Sequence, residues 1–255
     1  MNAAAYEREV GHRTGAESIG LPSGIGACLF DLDGVLTKTA HLHAAAWKAT
    51  FDRFLLERSA QTQEPYVPFD RALDYDRYVD GRARADGIRE FLASRGIEEE
   101  AATVGVLGER KNDLVHELIR RRGLEPYEGS VRYLRAVVTA GLRRAVVSAS
   151  ANCHAALEAA GLIDVFEVRI DAARAVEEQL RGKPAPDTFL AAARALDVDP
   201  AEAAVFEDSL AGVAAGRAGE FGFVVGVDRT DHAEALRQAG ADVVVSDLAD
   251  LLRSR

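Results

Sequence analysis

Short apolar segments alternate with amphipathic segments through the second half of this 255-residue chain, from Pro126 to its end. The apolar segments have the length of buried strands, and the segments between them have the periodicity of helices. Strands joined through helices run parallel, because such a connection crosses back over the sheet. The pattern therefore predicts an α/β fold with a doubly wound, Rossmann-like parallel sheet.

An earlier apolar run, residues 25–30, stops abruptly at Asp31 and supplies the first strand. The remaining strands are predicted at 145–147, 165–170, 203–206, 222–227 and 242–245. Helices are predicted at 39–58, 84–94, 107–121, 129–140, 151–160, 186–196, 209–217, 231–239 and 247–253. Residues 38–126 contain helical patterns, a proline-containing loop at 61–69 and no strand pattern, so they are predicted to form an inserted helical cap. The predicted domains are a partly ordered leader (1–23), an α/β catalytic core (24–37 and 127–255) and that cap (38–126).

Charge and composition exclude several classes of protein. There are 31 Lys and Arg against 41 Asp and Glu, a net charge of -10, which opposes general affinity for nucleic acid or anionic membranes. Two cysteines, Cys28 and Cys153, are too few for a disulfide framework. Residues 1–23 lack the apolar run of a signal peptide, and no stretch approaches the roughly 18 apolar residues of a membrane span. These features predict a cytoplasmic protein, either a monomer or a weak dimer.

Polar residues follow the predicted strands where each strand ends. In an open parallel sheet, ligands bind beyond the carboxyl ends of the strands. A lysine on a proline-containing loop, Lys183, can reach the same edge. The residues that follow the strands are Asp31, Asp33 and Gly34 after the first, Ser148 and Ser150 after the second, and Glu207 and Asp208 after the fourth.

Crowded carboxylates need a cation, and Mg²⁺ suits oxygen donors where no Cys/His cluster competes. The predicted ligands are Asp31, Glu207, Asp208 and Asp33, the last through its backbone carbonyl. Lys183 would stabilise charge on a transferring phosphoryl group. Asp31 would act as a covalent nucleophile, and Asp33 as the acid and then the base for the leaving oxygen.

Taken together, the segments Phe30-Asp-Leu-Asp-Gly-Val-Leu-Thr37, Ser148, Lys183-Pro184 and Glu207-Asp-Ser209 resemble the four ordered motifs of the haloacid dehalogenase superfamily. The resemblance implies Asp31 as nucleophile, Asp33 as acid/base, Ser148 and Lys183 as phosphate-stabilising groups, and an acidic pair that binds Mg²⁺. Residues 37–48 and 79–84 are similar to the hinge and cap of β-phosphoglucomutase-like members, although Ala151 stands where those proteins often have Lys. The residues that this similarity places around a small phosphorylated sugar are Thr39, His43, Trp47, Arg84, Lys111, Ser150 and Asn152.

Other readings of these residues remain open. His43 and Trp47 are also compatible with simple helix packing, Arg84 with a solvated surface position, and Ser148 and Ser150 with helix capping. An EF-hand at Asp31 is excluded, because the required Gly and Glu positions hold leucines. The resemblance implies β-phosphoglucomutase activity, with a Mg²⁺-dependent sugar-phosphate phosphatase or a non-catalytic sugar-phosphate-binding module as alternatives.

Overall fold

The computed structural model describes residues 15–98 and 100–253, and it contains one six-stranded parallel sheet in the order β3-β2-β1-β4-β5-β6. Every neighbouring pair of strands is parallel. This confirms the predicted doubly wound α/β fold. The strands are β1 (Ala27–Phe30), β2 (Arg143–Val147), β3 (Val168–Ile170), β4 (Ala203–Glu207), β5 (Phe223–Val227) and β6 (Val243–Val245).

Helices cover both faces of this sheet. Three other helices lie between β1 and β2 in the chain: α1 (Ala40–Thr62), α2 (Arg84–Ser94) and α3 (Ala101–Arg122). The remaining helices follow β2: α4 (Glu128–Thr139), α5 (Cys153–Ala159), α6 (Ala172–Glu177), α7 (Asp187–Ala195), α8 (Leu210–Ala218) and α9 (Ala233–Ala239). Within the described ranges, none of these helices combines the length and the hydropathy needed to cross a bilayer.

Alternate residues of the strands pack into two separate apolar layers, one on each face of the sheet. Phe30 and Phe206 stack with ring centroids 4.4 Å apart and pack against Tyr133 of α4 on one face. Leu29 and Phe189 belong to the layer on the other face, beneath α7 and α8. With both faces covered, the strands are nearly continuous apolar runs, and this is why their sequences lack polar alternation.

The chain enters the sheet at its centre. β1 pairs with β2 on one side and with β4 on the other, so successive strands are added first in one direction and then in the opposite one. This is the topological switch point, where loops from neighbouring strands diverge and leave a crevice. The residues that follow β1 and β4 therefore meet at that crevice.

The three long helices between β1 and β2 have their own apolar core. Trp47 and Phe51 of α1 stack 5.0 Å apart, and Phe51 also contacts Phe69 and Phe91. At the base of this helical segment, Thr37 and Pro126 form an isolated antiparallel bridge. The two chain crossings between the sheet and the helices thus lie side by side.

Several predicted elements differ from the observed ones. The helix predicted at 247–253 is wrong, because Leu248–Asp250 form a 3-10 turn closed by an Asp247 capping box. The strand predicted at 165–170 is shortened by a 3-10 turn at Ile163–Val165, and α6 was not predicted. Of the predicted leader, residues 1–14 lie outside the described residues. Residues 15–23 include the buried Ala16, Ile19 and Leu21, which pack on the α4 side of the sheet.

Candidate active site

Asp31 is the first residue after β1, and Lys183 reaches it from the loop that precedes α7. The Lys183 ammonium donates to Asp31 Oδ1 at 2.6 Å and to the Val147 carbonyl oxygen at 3.2 Å, and it also bonds Glu207 Oε1. Burial alone would lower the pKa of Lys183, but the charges of Asp31 and Glu207 outweigh it and raise that pKa. The lysine is therefore a fixed positive charge beside the Asp31 carboxylate.

Three buried carboxylates, those of Asp31, Glu207 and Asp208, each place an oxygen within 4.8 Å of the other two. Burial, followed by the charges of Asp80 and Asp31, raises the pKa of Asp208 well above its usual range. A single ammonium group does not balance three ionised carboxylates, so this cluster must either retain a proton or bind a cation. Buried oxygen donors of this kind fit a hard divalent cation such as Mg²⁺.

Two glycines leave the space that the carboxylates of Asp208 and Glu207 occupy. Gly34 has φ +92°, and a Cβ atom there would overlap the Asp208 carboxylate. A Cβ at Gly212 would likewise overlap the carboxylate of Glu207, whose Oε2 accepts from the Ser209 amide at 3.1 Å and hydroxyl at 2.9 Å. Both glycines are needed because a carboxylate, rather than backbone, fills the space beside them.

A second group of residues surrounds the Asp33 side chain. Thr39 Oγ1 donates to Asp33 Oδ1, and His43 Nε2 lies 3.6 Å from the same oxygen. Lys111 Nζ lies 3.0 Å from His43 Nδ1 and 4.9 Å from the centroid of the Trp47 ring. Burial, then the Lys111 charge, lowers the pKa of His43 to about 4, and burial lowers the pKa of Lys111 to about 7. The neutral imidazole accepts from Lys111 at Nδ1 and carries its proton on Nε2, towards Asp33.

A third group lies where α2 and α3 face the loop after β2. Arg84 Nη2 donates to Asn112 Oδ1 at 2.8 Å, and Asn152 Nδ2 donates to the same oxygen at 3.1 Å. On the loop, the Ser150 amide donates to Ser148 Oγ and the Asn152 amide donates to Ser150 Oγ, each at 3.1 Å. The two serines therefore shape the turn that presents Asn152.

These groups line one polar cleft between the sheet edge and the helices, with Asp31 at one end and Arg84 at the other. Its enclosed space is about 50 Å³, far below the roughly 300–1,000 Å³ of an ordinary small-molecule pocket. Thr39, Ser148, Lys183 and Glu207 are buried and are not part of this wall, and Ser148 and Lys183 line a neighbouring pocket instead. The predicted site residues on its wall are Asp31, Asp33, His43, Trp47, Arg84, Lys111, Ser150, Asn152 and Asp208.

Other wall residues were not predicted from the sequence. Asp80 follows the π-helical turn Tyr75–Val79 and also lines the cleft, and burial raises its pKa to about 7. Gly81 beside it would overlap Ser209 if it carried a Cβ atom, so this segment is pressed against the loop after β4. The sequence had drawn attention to residues 79–84 through their similarity to the cap, but it contained no sign that Asp80 would be brought close to Asp208.

The comparisons with known proteins identify the family of the chain. Residues 25–220 match the family model described as haloacid dehalogenase-like hydrolase. The chain is 55% identical over 246 residues to a β-phosphoglucomutase of Mycobacterium bovis, covering 92% of this chain and 94% of that protein. It is 33% identical to the β-phosphoglucomutase of Bacillus subtilis, covering 88% and 91% of the two chains.

Among solved structures, the β-phosphoglucomutase of Clostridium difficile superposes with a TM-score of 0.73 at 26% identity, covering 89% of this chain and 93% of that one. The match thus extends through the sheet and the helices inserted after β1. This chain belongs to the haloacid dehalogenase-like family, among its β-phosphoglucomutase-like members.

Proposed function

We propose that this protein is a β-phosphoglucomutase, which interconverts β-glucose 1-phosphate and glucose 6-phosphate through an aspartyl-phosphate at Asp31. The observation that carries the proposal is a cleft with a cationic group at each end. Lys183 contacts Asp31 at one end, and Arg84 and Asn152 both donate to the Asn112 oxygen at the other. A mutase needs both ends, because its bisphosphate intermediate presents one phosphate for transfer while the other is held.

In the first half-reaction, a carboxylate oxygen of Asp31 attacks the phosphorus of the transferring group. The bond between phosphorus and the sugar oxygen breaks, and a new bond to Asp31 forms. Asp33 gives its proton to the departing sugar oxygen, with Thr39 and His43 holding the carboxyl in place. Lys183 balances the charge that develops on the phosphoryl oxygens. In the second half-reaction, Asp33 takes the proton of a sugar hydroxyl, whose oxygen then attacks the phosphoryl group on Asp31.

Asp31, Glu207, Asp208 and the backbone carbonyl of Asp33 would hold Mg²⁺. When bound there, the ion supplies positive charge that reduces repulsion between the nucleophile and the phosphate. The buried, uncompensated carboxylates support this assignment.

The remaining predicted residues would hold the sugar and its second phosphate. Arg84, Ser150 and Asn152 would bind the second phosphate, and Trp47 and Lys111 would form the wall beside the sugar, while Ser148 would contact the transferring phosphoryl group. Residues 38–126 would act as a cap that opens to admit the substrate, because the enclosed space is smaller than a hexose phosphate. The bridge between Thr37 and Pro126 lies at the expected hinge.

The same proposal extends to the setting of the protein. Both cysteines are buried and free, which favours a reducing compartment such as the cytoplasm. The excess of acidic residues favours a small phosphorylated sugar over nucleic acid as the partner, since a few local cations suffice for one phosphate. We expect a monomer.

A sugar-phosphate phosphatase is the second candidate, and the family model, described as a hydrolase, favours it. It shares the Asp31 end of the cleft but has water as the final acceptor. The two functions are separated by supplying β-glucose 1-phosphate, Mg²⁺ and a trace of glucose 1,6-bisphosphate, then following glucose 6-phosphate and inorganic phosphate separately. The mutase forms glucose 6-phosphate, whereas inorganic phosphate without the isomer would refute this function.

Arg84 provides a second discrimination within the same assay. Arg84→Ala should lower isomer formation by about tenfold to a hundredfold, because it removes the cation that holds the second phosphate. It should leave phosphate release from acetyl phosphate nearly unchanged. Arg89→Ala is the matched control, since Arg89 lies on the same helix, is exposed, and pairs only with Asp86 among the recorded ion pairs of the described residues.

A further inference from the structure

His116 joins the Arg84 end of the cleft through a chain of three hydrogen bonds. Its Nε2 atom lies 2.6 Å from Asn152 Oδ1, Asn152 Nδ2 donates to Asn112 Oδ1 at 3.1 Å, and Arg84 Nη2 donates to that same oxygen at 2.8 Å. Asn112 and His116 are four residues apart on α3, so they share one face of the helix. These hydrogen bonds therefore link α2 to α3, α3 to the loop after β2, and that loop back to α3.

The direction of every bond in this chain follows from Arg84. A guanidinium group has only donors, so the Asn112 atom that it contacts is the carbonyl oxygen. The Asn152 atom that meets this oxygen must then be the amide nitrogen, which turns Asn152 Oδ1 towards His116. An amide oxygen only accepts, so His116 must carry a proton on Nε2 and donate it. Reversing either asparagine would place donor against donor or acceptor against acceptor.

The Asn152 side chain takes part in these hydrogen bonds instead of capping its own helix. Asn152 occupies the N-cap position of α5, where asparagine commonly caps the helix with its own side chain. Here its side chain makes no capping bond. The amide is turned across the cleft to α3 instead, and His116 is the group that holds its oxygen.

This set of hydrogen bonds directs two donors at one oxygen atom. Arg84 and Asn152 approach the Asn112 oxygen from the two sides of the cleft. A phosphate oxygen that took the place of the Asn112 oxygen would meet the same two N–H groups, one of them charged. Without His116, the amide of Asn152 could rotate, and its nitrogen would no longer be directed to this position.

We propose that His116 is a positioning residue for the second phosphate of the substrate, because it fixes the Asn152 amide so that Asn152 and Arg84 donate to the same anionic oxygen. This rests on the proposed function only in taking a phosphorylated sugar as the ligand. His116 itself is exposed and lies outside the residues that form the cleft wall, so it acts through Asn152.

Binding can be measured without turnover, because Trp47 is the single tryptophan of the chain and lies on the cleft wall. The fluorescence of Trp47 is followed while glucose 6-phosphate is added in the presence of Mg²⁺. His116→Ala should weaken binding by about five- to tenfold, as expected for loss of one hydrogen bond that orients a partner of a charged group. His116→Gln retains an N–H donor and should restore most of the affinity.

Two controls separate positioning from general damage. His154 is another exposed histidine with one recorded side-chain partner, Arg169, and His154→Ala should bind glucose 6-phosphate like the wild type. The rate at which acetyl phosphate phosphorylates Asp31, measured by intact mass, should be the same in His116→Ala and wild type, because acetyl phosphate has no second phosphate.

The outcomes distinguish this inference from the proposed function. A wild-type protein that forms no glucose 6-phosphate refutes the mutase, while the fluorescence titration still decides the role of His116. Unchanged affinity in His116→Ala overturns the inference. So does a loss of affinity that His116→Gln fails to restore, or an equal loss in the acetyl phosphate reaction.

Discussion

Replacing Lys183 by Met tests the electrostatics of the site most directly. The side chain of Lys183 is only 2% exposed and bonds both Asp31 and Glu207. Methionine has a similar length and fills the same space, so the substitution removes the charge with little change in packing. Asp31, Glu207 and Asp208 would then remain buried together with no lysine between them.

The expected loss of stability can be bounded from the geometry. At 2.6 Å, two unit charges attract by about 6 kcal/mol when the effective dielectric constant is near 20, before the cost of burying the charges is subtracted. Removing one partner of a buried pair commonly costs about 3–5 kcal/mol. We expect a loss in this range in metal-free protein, a large share of the roughly 5–15 kcal/mol that stabilises a typical domain.

The assay is urea unfolding in the presence of a chelator, with Lys38→Met as the matched control. Lys38 also pairs with a carboxylate, Glu125, at 3.0 Å, but both side chains are exposed, and its removal should leave the midpoint unchanged. Initial rates should separate the variants too, since loss of Lys183 is expected to lower kcat by about 10²- to 10³-fold. If Lys183→Met unfolds at the same urea concentration as Lys38→Met, the buried charges are not balanced as described.

Three further predictions concern the same sheet edge. Gly34→Ala should lower the affinity for Mg²⁺ by about tenfold or more, because the new Cβ would displace the Asp208 carboxylate. The affinity is measured by titrating unfolding midpoints with the ion. In the control Gly96→Ala, residue 96 has φ +67° but open space around it, so the change should cost only about 1–2 kcal/mol of backbone strain. The pKa of Asp80 is raised from 3.8 to about 7, so the folded state holds this proton more tightly and the free energy of unfolding should fall as the pH rises between those values. In chelated protein, Asp80→Asn should remove about 2–4 kcal/mol of that decline. Equal pH slopes for the two proteins would contradict this. Mg²⁺ at a hundred times its dissociation constant should raise the free energy of unfolding by about 2.7 kcal/mol, and a chelator should abolish the gain. Asp208→Asn should show no such response. A full response in that variant would rule out the carboxylate cluster as the Mg²⁺ site.

The sheet and its catalytic edge could be predicted from the sequence because both depend on local patterns. A buried parallel strand is a short apolar run, and the residue after it lies at the edge of the sheet where ligands bind. Asp31 and Glu207 could therefore be placed near each other although 175 intervening residues separate them. Their shared partner, Lys183, followed from its place on a proline-containing loop.

Short elements and contacts between distant segments could not be predicted in this way. The six residues of α6 are too few to show helical periodicity, and the turn at Leu248–Asp250 depends on the capping carboxylates of Asp247 and Asp250. Asp80 and His116 carry no sequence signal of their own, since an acidic residue in a turn and a histidine on a helix are both common on surfaces. Each gained significance only when the fold placed it beside Asp208 or Asn152.

The two ends of the cleft hold positive charge in different ways, and this difference orders the events of binding. Lys183 lies between carboxylates, so its charge is already balanced, and the Asp31 end is negative overall whenever all three carboxylates are ionised. Arg84 rests on a neutral amide oxygen, so its charge is left for an anion. A phosphorylated sugar should therefore be drawn first to the Arg84 end, whatever the state of the carboxylates. Productive approach to Asp31 requires that the negative charge there be reduced first, by protonation or by a divalent cation. Binding at the Arg84 end should thus survive chelation, while phosphoryl transfer should not.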